Sequence, residues 1–117
     1  MIGTGVSVQR DVVFGTGGGR ELKCNIHMPG DTSAKQTALI FFHGGGFVGG
    51  SKDAIDARVG YFANLGYVCV AAEYRLSTEA RWPEQVHDAK AAIRWIRGNS
   101  SKYHIDPNNI GIMGESA

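Results

Sequence analysis

The chain has 117 residues, of which 43% are hydrophobic and 20% charged, with a net charge of +1. That length suits one small domain, and the near-neutral charge gives no basis for nucleic acid or an anionic membrane as partner. No apolar run approaches the roughly 20 residues of a membrane span, and Met1 to Arg10 shows no secretory signal, so a cytoplasmic location is expected.

Val6 to Phe14 reads as a first strand, with Val6, Val8, Val12 and Phe14 as its apolar positions. Gly15-Thr16-Gly17-Gly18-Gly19 reads as a turn. Arg20 to Met28 then alternates with period two. Leu22, Cys24, Ile26 and Met28 share one face; Lys23, Asn25 and His27 share the other, which is expected to be wet. The pair predicts a hairpin near a sheet edge. Ala38 to Phe42 is a continuous apolar run, as in a strand covered on both faces. A glycine loop follows at 43–50. A helix is predicted from about Ala54 to Leu65, with Gly66 where a C-terminal glycine belongs.

Tyr67 to Ala72 is a second buried run, ending in Glu73-Tyr74-Arg75. Pro83 is well placed at the first turn of a helix running to about Arg97. Val86, Ala89, Ile93 and Ile96 form its apolar stripe. Tyr103 to Asn109 reads as a connector with a turn at Asp106-Pro107, and Ile110 to Met113 as the last strand. The order is an antiparallel hairpin followed by two βαβ crossovers, which predicts an α/β fold with a central, mostly parallel sheet. Cys24 and Cys69 lack metal or redox spacing and are expected to be buried, reduced thiols.

In such sheets the chemistry sits at the carboxyl ends of the strands. His43-Gly44-Gly45-Gly46, Glu73-Tyr74-Arg75 and Gly114-Glu115-Ser116-Ala117 all fall there. A serine after a Gly-x step at a strand end is the first part of a nucleophile elbow, G-x-S-x-G, whose fifth position would be residue 118. A His-Gly-Gly-Gly loop after an earlier strand is the usual source of the facing oxyanion hole. Acyl transfer puts negative charge on the carbonyl oxygen, and losing one N–H donor aimed there costs ~3 kcal/mol. Ala117 supplies one such donor. Gly45 and Gly46 supply the others, and Gly44 permits the close approach of the loop.

With these motifs in order, the chain resembles the amino-terminal part of an α/β-hydrolase. The group it resembles is the hormone-sensitive-lipase-like carboxylesterases, near the bacterial feruloyl- and acetyl-esterase-like branch. The residues that carry the likeness are His43-Gly44-Gly45-Gly46-Phe47, Glu73-Tyr74-Arg75-Leu76, Trp82-Pro83, Asp88 to Trp95, Tyr103 to Asn109 and Gly114-Glu115-Ser116-Ala117. The resemblance implies hydrolysis of small-molecule carboxylic esters of short to medium acids, with no cofactor and no metal. It implies Ser116 as nucleophile and Gly45, Gly46 and Ala117 as the oxyanion hole. His43, Gly114 and Glu115 belong to the supporting motifs, and His43 is not the base. The family's acid and base histidine follow the nucleophile. Residues 1–117 are thus expected to be an incomplete hydrolase domain ending at the elbow, with little or no turnover alone and an open edge on the last strand.

Other readings of the same residues are a dinucleotide site using Gly44, Gly46, Gly49 and Glu73, a protease-like trio of His43, Asp88 and Ser116, and a non-catalytic hydrolase-like module. Asp88 is expected to pair with Arg75, and Glu73 with Arg75 is a possible buried ion pair. His27, His87 and His104, too scattered for a metal, are expected at the surface or at helix ends, and Trp82 and Trp95 in the core. The oligomeric state is left open.

Overall fold

The computed structural model describes residues 6–30, 36–44, 51–76 and 79–114. Five strands, β1 (Ser7–Gly17), β2 (Arg20–Met28), β3 (Gln36–Phe42), β4 (Val68–Ala72) and β5 (Ile105–Gly114), form one sheet in the order β1-β2-β4-β3-β5. The first three pairings across it are antiparallel, antiparallel and parallel, and β3 also runs parallel to β5. Helix α1 (Asp56–Asn64), entered through a short 3-10 turn at Asp53–Ile55, joins β3 to β4. Helix α2 (Glu84–Gly98) joins β4 to β5. The predicted hairpin and two crossovers are present.

Alternation along the central strands divides the core in two. Ala38, Ile40, Val68, Val70 and Ala72 pack with Ala92 and Ile96 of α2. Phe41, Cys69 and Ala71 pack with Ile55, Val59 and Ala63 on the α1 side. The sheet is therefore covered by a helix on each face, which is why β3 and β4 read as unbroken apolar runs. Cys24 lies on the α2 side and Cys69 on the α1 side, both buried and reduced.

The β1–β2 turn is shorter than the sequence suggests. Gly18 and Gly19, at φ 57° and 79°, make a two-residue hairpin connection, and strand pairing continues out to Gly17 and Arg20. Between Gln9 and Val12, Arg10 and Asp11 oppose the single residue Asn25, a bulge with Asp11 at φ 57°. A second irregularity follows at Phe14, which is buried, whereas Val8 is exposed.

Several other expectations are corrected. The second face of β2 is not wet: Asn25 and His27 are buried. They lie beneath the α1 segment, where the Asn25 amide donates to Asp53 Oδ1 at 2.6 Å. The buried line of α2 runs through Gln85, Asp88, Ala92 and Ile96, while Val86, Ala89 and Ile93 are only partly covered. Trp82 is 68% exposed, and Trp95 packs partly buried against Tyr103. His87 is exposed on α2 and His104 half-buried just before β5. The Asp106-Pro107 turn lies inside β5 as an excursion: Gln36 pairs with Ile105 and Ala38 with Ile110, so four residues of β5 oppose Thr37 alone. Gly66, at φ 105°, closes α1 as expected.

Candidate active site

Register sets the site. Phe42 of β3 pairs with Ala72 of β4 and with Gly114 of β5, so the carboxyl ends of these strands are level. The chain winds from β3 to β4 on one side and from β4 to β5 on the other, with β3 between them. In open α/β sheets ligands bind outside the carboxyl ends where the winding reverses. His43 and Gly44 continue from β3 at this point, and Gly114 closes β5 on the neighbouring strand, about 5 Å away by ordinary strand spacing. Gly45, Gly46, Gly49, Glu115, Ser116 and Ala117 lie outside the described residues.

His43 is buried. Its ring stacks on Tyr74 with centroids 4.6 Å apart and planes 18° from parallel. The Tyr74 hydroxyl donates to the His43 carbonyl at 2.6 Å. His43 Nδ1 lies 2.8 Å from the Gly44 carbonyl oxygen, which can only accept, so the bond requires the proton on Nδ1. Burial raises the Tyr74 phenol above its ordinary pKa and keeps it a donor. Sequence reading assigned no role to Tyr74; the aromatic beside two charged residues was a signal, but its partner lies 31 positions away.

The rest of the β4 exit is pinned residue by residue. Glu73 Oε1 accepts the Lys23 N–H at 2.9 Å and Arg20 Nη1 at 3.0 Å. Arg75 forms a forked pair with buried Asp88 and also reaches Glu84 Oε2 at 3.0 Å. The Leu76 N–H donates to Glu79 Oε2 at 2.9 Å. The hydrogen bond from Arg20 holds the Glu79 carboxyl below its usual range. The expected Asp88–Arg75 pair is thus present, whereas Glu73 faces Arg20 in place of Arg75. Glu73, the carboxylate that the dinucleotide reading requires, is occupied by these partners. Asp88, the acid of the protease-like trio, is engaged by Arg75.

Lys52, where the described chain resumes after the glycine loop, is also buried. Its Nζ donates to Asp11 Oδ1 at 2.7 Å and lies 3.7 and 3.8 Å from Asp53 and Glu73. Burial pulls the ammonium down, but the Asp11 hydrogen bond and the surrounding carboxylates outweigh it and raise the pKa above the ordinary lysine value. The Asn25 hydrogen bond, foremost, lowers that of Asp53. No local pattern announces this polar cluster, whose members come from β1, the 3-10 turn and the end of β4. Among the described residues no group of His, Cys, Asp and Glu has the arrangement of a metal site, and no helix is long and apolar enough to cross a membrane.

Known proteins resemble this chain in sequence and fold. The Est2 esterase of the planctomycete Thermogutta terrifontis superposes with a TM-score of 0.84 and 33% identity over 97% of this chain and 41% of that one. Est2 has also been solved with propionate and with butyrate bound. Esterase LipC of Mycobacterium tuberculosis is 42% identical over 81 residues, 68% of this chain and 20% of LipC. Ethyl acetate hydrolase of Pseudomonas putida is 31% identical over 109 residues, 91% of this chain and 34% of that protein. The chain spans a fifth to about a third of the length of these curated relatives. The BD-FAE family model matches residues 24–117. With that match and the level strand ends together, the chain belongs to the BD-FAE family, among the hormone-sensitive-lipase-like carboxylesterases of the α/β-hydrolase fold.

Proposed function

We propose that these residues supply the nucleophile and the oxyanion donors of a serine carboxylic ester hydrolase. Ser116 Oγ attacks the ester carbonyl carbon. The N–H groups of Gly45, Gly46 and Ala117 receive the developing oxyanion, with Gly44 allowing the loop to approach. His43, Gly114 and Glu115 support the two motifs. The alkoxide leaves with a proton, an acyl-serine forms, and water then releases the acid and restores Ser116. The base and acid follow the nucleophile in the family's order, and within the 117 residues no Asp, Glu or His follows Ser116. The 117 residues alone therefore have little or no turnover. The pairing of Phe42 with both Ala72 and Gly114 carries this reading, because it brings the start of the glycine loop and the approach to Ser116 to one edge on adjacent strands.

Small esters of short acids are the substrate class. The names of two relatives support it: one is an ethyl acetate hydrolase, and Est2 has been solved with propionate and butyrate. The test uses the product of the complete reading frame. A fluorophosphonate labels Ser116, hydrolysis of p-nitrophenyl acetate stops when that label is complete, and Ser116→Ala abolishes both. Labelling elsewhere, or hydrolysis that survives Ser116→Ala, overturns the assignment. Undiminished turnover by a mass-verified chain of residues 1–117 overturns the dependence on later residues.

A further inference from the structure

Among the described residues, the Tyr74 side chain holds the path out of β3. The strand ladder ends where Phe42 pairs with Ala72. The next carbonyl, that of His43, lies beyond the ladder, and a backbone acceptor this deep needs a partner. Tyr74, two residues past the end of β4, supplies it at 2.6 Å, and the same residue's ring lies against the His43 imidazole at 4.6 Å. Two contacts of different kinds, one directional and one a face-to-face packing, fix both the main chain and the side chain of His43. The imidazole in turn holds the Gly44 carbonyl at 2.8 Å. That carbonyl is one end of a planar peptide unit, and the other end is the N–H of residue 45. A rotation of this unit would have to break the imidazole contact, and the imidazole cannot turn without sliding off Tyr74. His43 is 4% exposed and Tyr74 5%, so water offers neither group an easy substitute.

We propose that Tyr74 is a positioning residue for the oxyanion hole, acting through His43 on the peptide that carries the Gly45 N–H. This rests on the hydrolase reading above and adds a residue to it. Tyr74 touches neither substrate nor nucleophile in this scheme. Its effect is on the transition state, because only there does the carbonyl oxygen carry the charge that a well-aimed N–H stabilises.

Tyr74→Phe in the product of the complete reading frame is the test. It keeps the ring and the stacking surface and deletes one hydrogen bond. Rates are expressed per Ser116 labelled by fluorophosphonate at the end point, so that unfolded molecules do not count. The expected result is a kcat for p-nitrophenyl acetate about 10- to 100-fold lower, with KM within about twofold. The rate constant of fluorophosphonate labelling falls in parallel. A purely structural role gives a lower Tm and an unchanged kcat per labelled site, which overturns the proposal. Absence of labelling in the wild-type protein overturns the hydrolase reading itself and this one with it. Wild-type labelling with an unaltered Tyr74→Phe removes only the role given to Tyr74.

Discussion

Arg75 and Asp88 are joined by a fork of hydrogen bonds, Nε to Oδ2 at 3.0 Å and Nη2 to Oδ1 at 2.9 Å, while the Arg75 N–H donates to Oδ2 at 2.8 Å. One carboxylate on α2 thereby captures both the main chain and the side chain of the residue after Tyr74. The Asp88 hydrogen bond, above all, raises the Arg75 pKa. Asp88 is 3% exposed, so removing it strands a largely covered cation and a backbone donor, for which Glu84 alone is insufficient. Asp88→Ala is expected to destabilise the protein by about 3–5 kcal/mol, and Asp88→Asn by less because it retains an acceptor. Urea unfolding of the two variants against wild type measures both.

Arg75 also limits the hairpin turn. A Cβ on Gly17 would lie 2.6 Å from Arg75 Nε and 2.7 Å from Cζ, and the fork to Asp88 keeps that guanidinium from moving away. Gly17→Ala is expected to cost about 1–3 kcal/mol, in the manner of an overpacked core site. Gly15, with nothing within 4 Å of its added Cβ, is the control, and Gly15→Ala leaves the unfolding midpoint nearly unchanged. If the two substitutions behave alike, Arg75 yields freely and the constraint is not there.

These contacts mark what a sequence can and cannot disclose. The β2 bounds, Arg20 to Met28, and the helix-ending Gly66 follow from local pattern and are observed. The strand ends at Phe42 and Ala72 were also legible, because a run buried on both faces stops where its apolar residues stop, and β5 closes one residue beyond the expected Met113. Asn25 and His27 misled because alternation says which residues share a face, not what covers that face. Their cover comes from residues 53–56, nearly 30 positions on. The stripe of α2 shifted for a related reason: Asp88 is polar, yet the pull of Arg75 turns it inward. Trp82 looked like core by its type alone and is exposed. Of the candidate site, Gly44 and the supporting His43 and Gly114 stand at the expected edge, while the nucleophile and its donors fall outside the described residues.

Lys52 supports a prediction about charge. Its ammonium sits among Asp11, Asp53 and Glu73. Lys52→Met removes the cation at the centre of these carboxylates and leaves Arg20 on Glu73 and Arg10 on Asp53 as partial counterions. Asp11 and Asp53 are more than half exposed, so solvent recovers part of the loss. The expected cost is about 1–3 kcal/mol. Because the new term is repulsion between partly exposed charges, added salt narrows the gap to wild type. A deficit that stays constant between low and high salt in chemical unfolding shows that packing, not charge, is the role of Lys52.

Burial pushes the Cys24 and Cys69 thiols up to about 12, so neither is a thiolate in neutral solution. They also project from opposite faces of the sheet and cannot be joined. Native protein treated with iodoacetamide at pH 8 is expected to leave the Cys24 and Cys69 peptides unmodified, and denatured protein to show both alkylated. Rapid native modification of either peptide contradicts the packing described.

His27 gives the last prediction, a dependence on pH. The ring is 3% exposed on the α1 face of β2, opposite Cys69 in the sheet register. Its Nε2 lies 3.8 Å from Asp56 Oδ1 and has no hydrogen-bond partner among the described residues. Burial is the main influence and lowers its pKa; Asp56 pulls the other way, and Arg10 on β1 adds to the lowering. The folded value therefore lies below the unfolded one, near 6.5. Above about pH 6.5 the ring is neutral in both states and stability is unaffected by it. As pH falls below that point the unfolded chain takes up a proton that the folded chain refuses, so the folded state loses stability until the folded pKa is passed. His27→Gln, which cannot titrate, is expected to flatten the decline in unfolding free energy between pH 7 and 5 that wild type shows. Parallel wild-type and variant curves across that window place the acid sensitivity elsewhere, and a steeper wild-type gain in stability on acidification means that Asp56 captures the imidazolium after all.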